Sequence, residues 1–276
     1  MFALISRLRH GSLRALGWVW RPLGSVYRFG QNVLGWPRSV AKQIGPYGPF
    51  RLNGRFAFSN YADWGGKHNS GFRRCIDACL PGSVVFDVGA HVGIVTLCAS
   101  AAIGPDGRLF AFEPAEGNLR YLRNHKALND LKNVEVVDSL VGASPLDAVE
   151  FLESAGDSGL NTRAPRHFER KFVKRRRRQL TLDGFCDERG VLPSVVKIDV
   201  EGAEVDVLRG ATKMIAASRP LIILSVHPRQ IALLGGTAED LYQLVRGMGY
   251  EVALPDGQAV SVLSSGEYVL TPREAR

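Results

Sequence analysis

The stretch Val84-Val85-Phe86-Asp87-Val88-Gly89-Ala90-His91-Val92-Gly93 decides the fold, and a helix-like run follows it at 94–102. The apolar residues at 84–88, interrupted only by Asp87, predict a strand that is buried on both faces. Gly89 and Gly93 permit a tight turn, where the next helix presents its free N–H groups. A strand, a glycine turn and a helix start together predict a cradle for a nucleotide-like ligand. The alternative is that both glycines serve packing alone.

The spacing of this stretch does not match the dinucleotide fingerprint G-x-G-x-x-G, because Asp87 stands at the first glycine and the last glycine comes one residue late. Asp-x-Gly-Ala-x-x-Gly at 87–93 instead resembles the first motif of S-adenosylmethionine (SAM)-dependent methyltransferases. The cradle is therefore expected to hold SAM rather than a dinucleotide.

Composition predicts one substantial core with appendages, since the chain has 276 residues and 45% hydrophobic content. The net charge of +8 is concentrated in two segments, 1–50 and 163–178, and the rest of the chain is net acidic. This distribution favours an acidic globular body with two basic attachments over a nucleic-acid-binding surface, and no specific nucleic-acid partner is predicted.

The cysteines and the N-terminus bear on the compartment. Cys75, Cys79, Cys98 and Cys186 are too few and too irregular for a disulfide framework, so we expect buried free thiols in a reducing compartment. No stretch approaches the ~20 apolar residues of a membrane span. Arginines interrupt any signal-peptide h-region. These features predict a cytoplasmic protein.

The basic N-terminal extension is predicted to cover residues 1–50, and the catalytic domain residues 51–276. Arginines at 7, 14, 21 and 28 lie on one side of any helix formed there. One interpretation is an amphipathic element in peripheral contact with an anionic inner membrane surface. The other is a helical cap that packs on the core with solvated arginines.

An alternation of strands and helices predicts an α/β fold with a mostly parallel sheet and helices on both faces. The predicted strands cover 84–88, 108–112, 134–137, 194–198, 221–226, 250–254 and 267–270, with a short strand at 149–152 and a hairpin at 50–58 around Asn53-Gly54. The predicted helices cover 71–80, 94–102, 117–129, 203–217 and 238–248. The four arginines at 175–178 form either a solvated face or the wall of an anionic substrate site.

Two acidic residues follow the second and third predicted strands. Glu113 lies twenty residues after Gly93, where a carboxylate suits hydrogen bonds from ribose hydroxyls. Alternatively, Glu113-Pro114 merely begins a helix. Asp138 faces the same crevice and could accept from an adenine amino group, or could be a plain loop residue.

A second polar group follows the fourth and fifth strands. Asp199 and Glu201 come after a buried strand, and Glu204 opens the next helix, where its charge favours the helix N-terminus. His227 closes the following strand. Because ligands bind outside the carboxyl ends of parallel strands, Asp199, Glu201 and His227 are expected at one site mouth. A structural role for His227 is the alternative.

These motifs together resemble the FkbM family of methyltransferases over about residues 71–255. The residues that carry the resemblance are Asp87–Gly93, Phe112–Pro114, Leu180–Asp183, Lys197–Glu204 and Val226-His227. The resemblance implies a Rossmann-like class I methyltransferase fold of seven strands, the last antiparallel, and O-methylation of a sugar or natural-product hydroxyl. It places Asp87, Gly89, Ala90 and Gly93 at the methionine and ribose end of SAM and Glu113 at the ribose. It places Asp199, Glu201 and His227 near the acceptor.

The chemistry of methyl transfer to a hydroxyl calls for a base, for which His227 is the first candidate and Asp199 or Glu201 the second. The two acids could instead bind Mg²⁺, but no further oxygen ligand is evident and metal is not favoured. The basic segments suggest an anionic glycan or lipid-linked sugar as acceptor. The competing hypotheses are an NAD(P)-dependent dehydrogenase and a non-catalytic protein that binds polyanions or membrane surfaces.

Overall fold

The computed structural model describes Gly30 and residues 38–66, 69–154, 161–163 and 172–273, so most of the predicted N-terminal extension lies outside the described residues. In chain order the strands are β1 (Ser39–Ile44), β2 (Tyr47–Asn53), β3 (Val84–Val88), β4 (Arg108–Phe112), β5 (Val134–Val137), β6 (Leu140–Val141), β7 (Leu146–Ser154), β8 (Phe172–Leu180), β9 (Val195–Ile198), β10 (Leu221–Val226), β11 (Tyr250–Ala253) and β12 (Gly266–Pro272). The helices are α1 (Ser70–Asp77), α2 (Ile94–Ile103), α3 (Glu116–Leu128), α4 (Leu182–Arg189), α5 (Glu204–Arg209), α6 (Thr212–Ser218), α7 (Pro228–Leu233) and α8 (Ala238–Gly247).

The central sheet has seven strands in the order β11-β12-β10-β9-β3-β4-β5. β3, β4, β5, β9 and β10 run parallel, and β12 is antiparallel to both of its neighbours. The predicted seven-stranded, mostly parallel, Rossmann-like sheet with an antiparallel last strand is confirmed.

β3 lies near the middle of the central sheet, and both faces of the sheet are covered there. On one face Phe86 packs edge-to-face against Phe110, Phe112 and Phe185, with ring centroids 5.4–5.7 Å from its own. On the other face Val85 joins a core cluster that includes residues of α1 and α2. Burial on both faces explains why the run reads as nearly continuous hydrophobic sequence.

The N-terminal hairpin differs from the prediction. β1 and β2 turn at 45–46, whereas Asn53 accepts a hydrogen bond from the Arg55 N–H (3.0 Å) and begins a 3₁₀ turn at Gly54–Phe56. The predicted hairpin around Asn53-Gly54 is therefore wrong. Ile44 and Leu52 are fully buried in the same core cluster as residues of α1 and α2. β1 and β2 therefore pack with the folded body, and residue 50, the predicted boundary, lies inside β2.

A second sheet, of order β6-β8-β7, interrupts the series, and of it only a strand at 149–152 was predicted. The four arginines at 175–178 lie in β8. The predicted helix at 203–217 is two helices, α5 and α6. They separate at Gly210, where any Cβ atom would overlap the backbone oxygen of Gly142.

Two further expectations concern the thiols and membrane spans. All four cysteines are buried and unpaired, as predicted. Within the described ranges, none of the helices has the length and apolar character needed to cross a bilayer.

Candidate active site

The strand order reverses between β3 and β9, and the carboxyl ends of these two strands form the floor of the site. Gly89 has a φ of 79°, and a Cβ atom there would overlap the backbone oxygen of Asp199. Lys197 Nζ donates to the carbonyl oxygen of Gly89 at 2.6 Å. The close approach of the two strand ends thus requires glycine at 89, and it creates the crevice in which such sheets bind ligands.

A buried ion pair supports this turn from below. Asp87 is fully buried, lies 3.1 Å from Lys197 Nζ and accepts a hydrogen bond from Thr96 Oγ1 at 2.7 Å. Burial disfavours the charged ammonium, but the carboxylates of Asp87 and Asp199 outweigh it and raise the pKa of Lys197. The structure therefore places Asp87 beneath the glycine turn. Its direct contact with a cofactor stays a prediction.

Glu113 stands at the end of β4 and is 4% exposed. Its carboxylate accepts hydrogen bonds from the His91 N–H (2.8 Å), the Ala115 N–H (2.9 Å) and Asn118 Nδ2 (3.2 Å). Burial raises the pKa of Glu113 to about 7, although each of these donors lowers it. The carboxylate thus organises the glycine turn and the start of α3, and it retains lone pairs for a ligand.

Three adjoining pockets at the strand ends form a cleft, and we call them the Glu113, aromatic and histidine lobes. Glu113, Ser139, Phe151 and Asp199 are among the residues that line the Glu113 lobe. The aromatic lobe is lined by Tyr61, Trp64 and Phe72 together with Gly89 and Ala90. The histidine lobe is lined by Asp199, Glu201, Ser225, His227 and Glu267. Because Asp199 and His91 line all three lobes, a ligand in one lies beside a ligand in the next.

Three predicted cofactor residues line none of these lobes: the buried Asp87, and Asp138 and Gly93. The Asp138 carboxylate is 3.0 Å from Arg123 Nη2 at the surface, whereas the next residue, Ser139, lines the Glu113 lobe. Gly93 has a φ of 89° and packs against Leu122 as the N-cap of α2. Gly93 thus shapes the turn, and a contact of Asp138 with adenine stays a prediction.

The three predicted acceptor-side residues are brought together in the histidine lobe. His227 Nε2 lies 3.7 Å from Asp199 Oδ1 and 3.6 Å from Glu201 Oε1, and His227 Nδ1 lies 2.7 Å from Glu204 Oε1. Burial would lower the pKa of His227, but the hydrogen bond to Glu204 and the three carboxylate charges raise it to about 9. The cluster can therefore hold a proton or accept one at Nε2.

Sequence reasoning missed several residues at the site. Lys197 was quoted only as part of a motif, although a lysine in an otherwise apolar buried strand signals a buried ion pair. Ser139, Phe151 and Trp64 carry no comparable signal, since separate loops and the second sheet bring them to the cleft. None of the arginines at 175–178 lines a lobe.

A Mg²⁺ ion would need a set of oxygen ligands. Within the part of the chain that the structure describes, no group of three or more His, Cys, Asp or Glu side chains is arranged to hold a metal ion. Metal dependence stays a hypothesis.

Comparison with known proteins identifies the family. A family model described as the methyltransferase FkbM domain matches residues 87–252, more than half of the chain. The AMB antimetabolite synthetase AmbE of Pseudomonas aeruginosa is 28% identical in an alignment 213 residues long, and the match covers 63% of this chain and 10% of AmbE. The chain thus spans about a tenth of the length of that relative.

Solved structures also match this chain, at low identity and with TM-scores below 0.5. A methyltransferase FkbM from Methylobacillus flagellatus is 17% identical, with a TM-score of 0.43, over 68% of this chain and 43% of that one. A SAM-dependent methyltransferase from Aquifex aeolicus is 14% identical, with a TM-score of 0.42, over 76% of this chain and 92% of that one. On the match of the family model, the chain belongs to the FkbM methyltransferase family.

Proposed function

We propose that this FkbM methyltransferase uses SAM to methylate a hydroxyl oxygen of a sugar or natural-product acceptor. The observation that carries the proposal is that Glu113, suited to a ribose, and His227, a candidate base, line adjoining lobes that share Asp199. SAM supplies an electrophilic methyl group, so the protein need only align the acceptor oxygen, exclude water and remove a proton.

The chemistry of the lining residues suits SAM. Glu113 would hold the ribose, because its buried carboxylate retains lone pairs for hydroxyl donors. Gly89 and Ala90 would accommodate the methionine end, and Ser139 and Phe151 would flank the adenine.

The proton of the acceptor hydroxyl would pass to Nε2 of His227. This nitrogen lies 3.7 Å from Asp199 Oδ1 and 3.6 Å from Glu201 Oε1, two residues that line the histidine lobe. With a pKa of about 9, His227 is protonated at neutral pH in the free enzyme. Activity should therefore rise with pH as the imidazole loses its proton, and a bound sulfonium cation would bring that rise to lower pH.

The charge of the histidine lobe bears on the acceptor. Asp199, Glu201 and Glu267 line it, and no Lys or Arg is among its described lining residues. An anionic acceptor would be repelled there. We therefore favour an uncharged polyhydroxyl acceptor over the anionic one that the basic segments suggested, because none of the described residues of those segments lines this lobe.

Ligand binding separates this proposal from its competitors. Calorimetric titration of the purified chain with SAM, S-adenosylhomocysteine and NAD⁺ should show binding of the first two alone. Binding of NAD⁺ alone would support a dehydrogenase. Binding of none, together with salt-sensitive sedimentation with anionic vesicles, would support a surface-binding protein.

The acceptor requires a second experiment. Mass spectrometry of glycans and small molecules should reveal a molecule that carries one methyl group fewer in cells without the protein than in cells with it. A methyl group missing from a nitrogen would contradict O-methylation, and one missing from a carboxyl oxygen would contradict a hydroxyl acceptor.

A further inference from the structure

Glu204 is a buried carboxylate that the proposed chemistry leaves without a role. It lies in the first turn of α5, is 0% exposed and accepts the Gly202 N–H at Oε1 at 3.0 Å. An acid in a helix first turn normally remains near solvent, where the helix dipole favours it. Full burial of this carboxylate is costly unless a partner compensates.

The compensating partner is His227. Glu204 Oε1 lies 2.7 Å from His227 Nδ1, the shortest of the three carboxylate distances to this imidazole. Glu204 Oε2 is buried and has no hydrogen-bond partner among the described residues. A carboxylate that can only accept fixes a proton on Nδ1 and leaves Nε2 for the cleft.

We infer that Glu204 is a positioning residue for His227. The two residues form a Glu–His dyad that fixes the imidazole ring with Nε2 directed at the histidine lobe. This inference rests on the proposed function for its purpose, although the dyad itself can be measured without turnover. Buried carboxylates orient imidazole bases in this way in other hydrogen-bonded pairs.

The other groups around His227 cannot supply the same constraint. Asp199 and Glu201, which follow β9, approach only Nε2 at 3.7 and 3.6 Å. Asp199 also lies 3.9 Å from Lys197, and Glu201 accepts from Gln230 at 3.0 Å. From β12, Glu267 lines the lobe and accepts the Gly71 N–H at 2.6 Å. Glu204 alone engages Nδ1 among the described residues.

Nitrogen NMR tests the dyad in the wild-type protein itself, and a variant is needed only to assign the signal. With ¹⁵N-labelled histidine, and His227→Gln to assign the signal, the neutral form above the pKa should carry its proton on Nδ1. A neutral form protonated on Nε2 would overturn the inference, whether or not the chain binds SAM.

Glu204→Gln then separates charge from packing, because its amide oxygen can still accept from Nδ1 and from Gly202. The pKa of His227 should fall by about one unit or more, a tenfold or greater loss of proton affinity. The pH at which kcat/KM rises should shift down with it. Glu239→Gln is the matched control, since Glu239 also lies in a helix first turn, in α8.

The control should leave the His227 titration unchanged. An unchanged His227 pKa in folded Glu204→Gln would overturn the inference. Should Glu204→Gln fail to fold, Glu204→Asp, which keeps the charge but shortens the reach, should retain a raised pKa while weakening the Nδ1 hydrogen bond. Failure of the proposed function would be seen separately, as absence of SAM binding to the wild-type chain.

Discussion

Replacing Glu113 with Gln should change how the stability of the protein depends on pH. The buried carboxylate has a pKa of about 7 in the folded protein against an ordinary value of 4.5. Between these values the folded protein holds a proton that the unfolded chain has lost. This contribution to stability is complete below pH 4.5 and is lost as pH rises through about 7.

The size of the effect follows from the two pKa values. A difference of 2.5 units corresponds to about 3.4 kcal/mol in total, of which about 2.5 kcal/mol falls between pH 5 and pH 8. Gln cannot titrate, but it leaves one of the buried donors without its acceptor, at a cost of about 1–3 kcal/mol at all pH values. The free energy of unfolding of the wild type, taken relative to that of Glu113→Gln, should therefore be about 2.5 kcal/mol lower at pH 8 than at pH 5.

Urea denaturation of both proteins at pH 5, 6, 7 and 8 measures this difference. Other groups, including His227, titrate in both proteins and cancel. Parallel free energies of unfolding for the two proteins across this range would refute the proposed burial of a titrating Glu113.

The same variant tests the ribose role. A ribose hydroxyl that donates to Glu113 favours the carboxylate, so SAM binding near pH 7 should release protons. Calorimetry in two buffers of different ionisation enthalpy detects this release. Glu113→Gln should release fewer protons and weaken SAM affinity by about tenfold or more, the value of a hydrogen bond to a charged group. Unchanged affinity would count against the ribose role.

Three further predictions follow from the geometry of the site and the hairpin. His227→Ala should lower turnover strongly with little change in SAM affinity by calorimetry, and undiminished turnover would remove His227 as the base. Gly89→Ala should destabilise the fold by more than Gly82→Ala. Both glycines have φ near 80°, a left-handed conformation that costs alanine about 1–2 kcal/mol. Only at position 89 would the new Cβ atom also overlap a backbone oxygen, that of Asp199. Equal melting temperatures for these two variants would contradict the close approach of β3 and β9. Deleting residues 1–37 should preserve SAM binding, whereas deleting 1–53 should lower the melting temperature or prevent folding because it removes buried residues of β1 and β2.

The strands of the central sheet could be predicted because the buried apolar residues of each strand are consecutive in the sequence. β3, β4 and β10 are short apolar runs bounded by turn residues, and each was predicted within one residue of its observed ends. Glu113 and His227 could be assigned to the site because they follow such runs directly.

The remaining features depend on contacts that local sequence does not contain. Lys174 and the arginines that follow it form a strand only because β8 pairs with β7, and their charge hides the pattern of a strand. The break at Gly210 follows from its contact with Gly142. Glu204 looks like an ordinary helix-capping acid until the fold places His227 against it. Asp138 lies at the surface, whereas the next residue, Ser139, lines the cleft. A shift of one residue along the chain thus decides which side chain reaches the site.

A crystal structure of the chain with S-adenosylhomocysteine tests the central claim most directly. We predict that the ligand lies across the ends of β3 and β9, with its ribose hydroxyls within hydrogen-bond distance of Glu113 and its sulfur facing the lobe that contains His227. A ligand bound elsewhere, or a ribose that does not contact Glu113, would contradict the account.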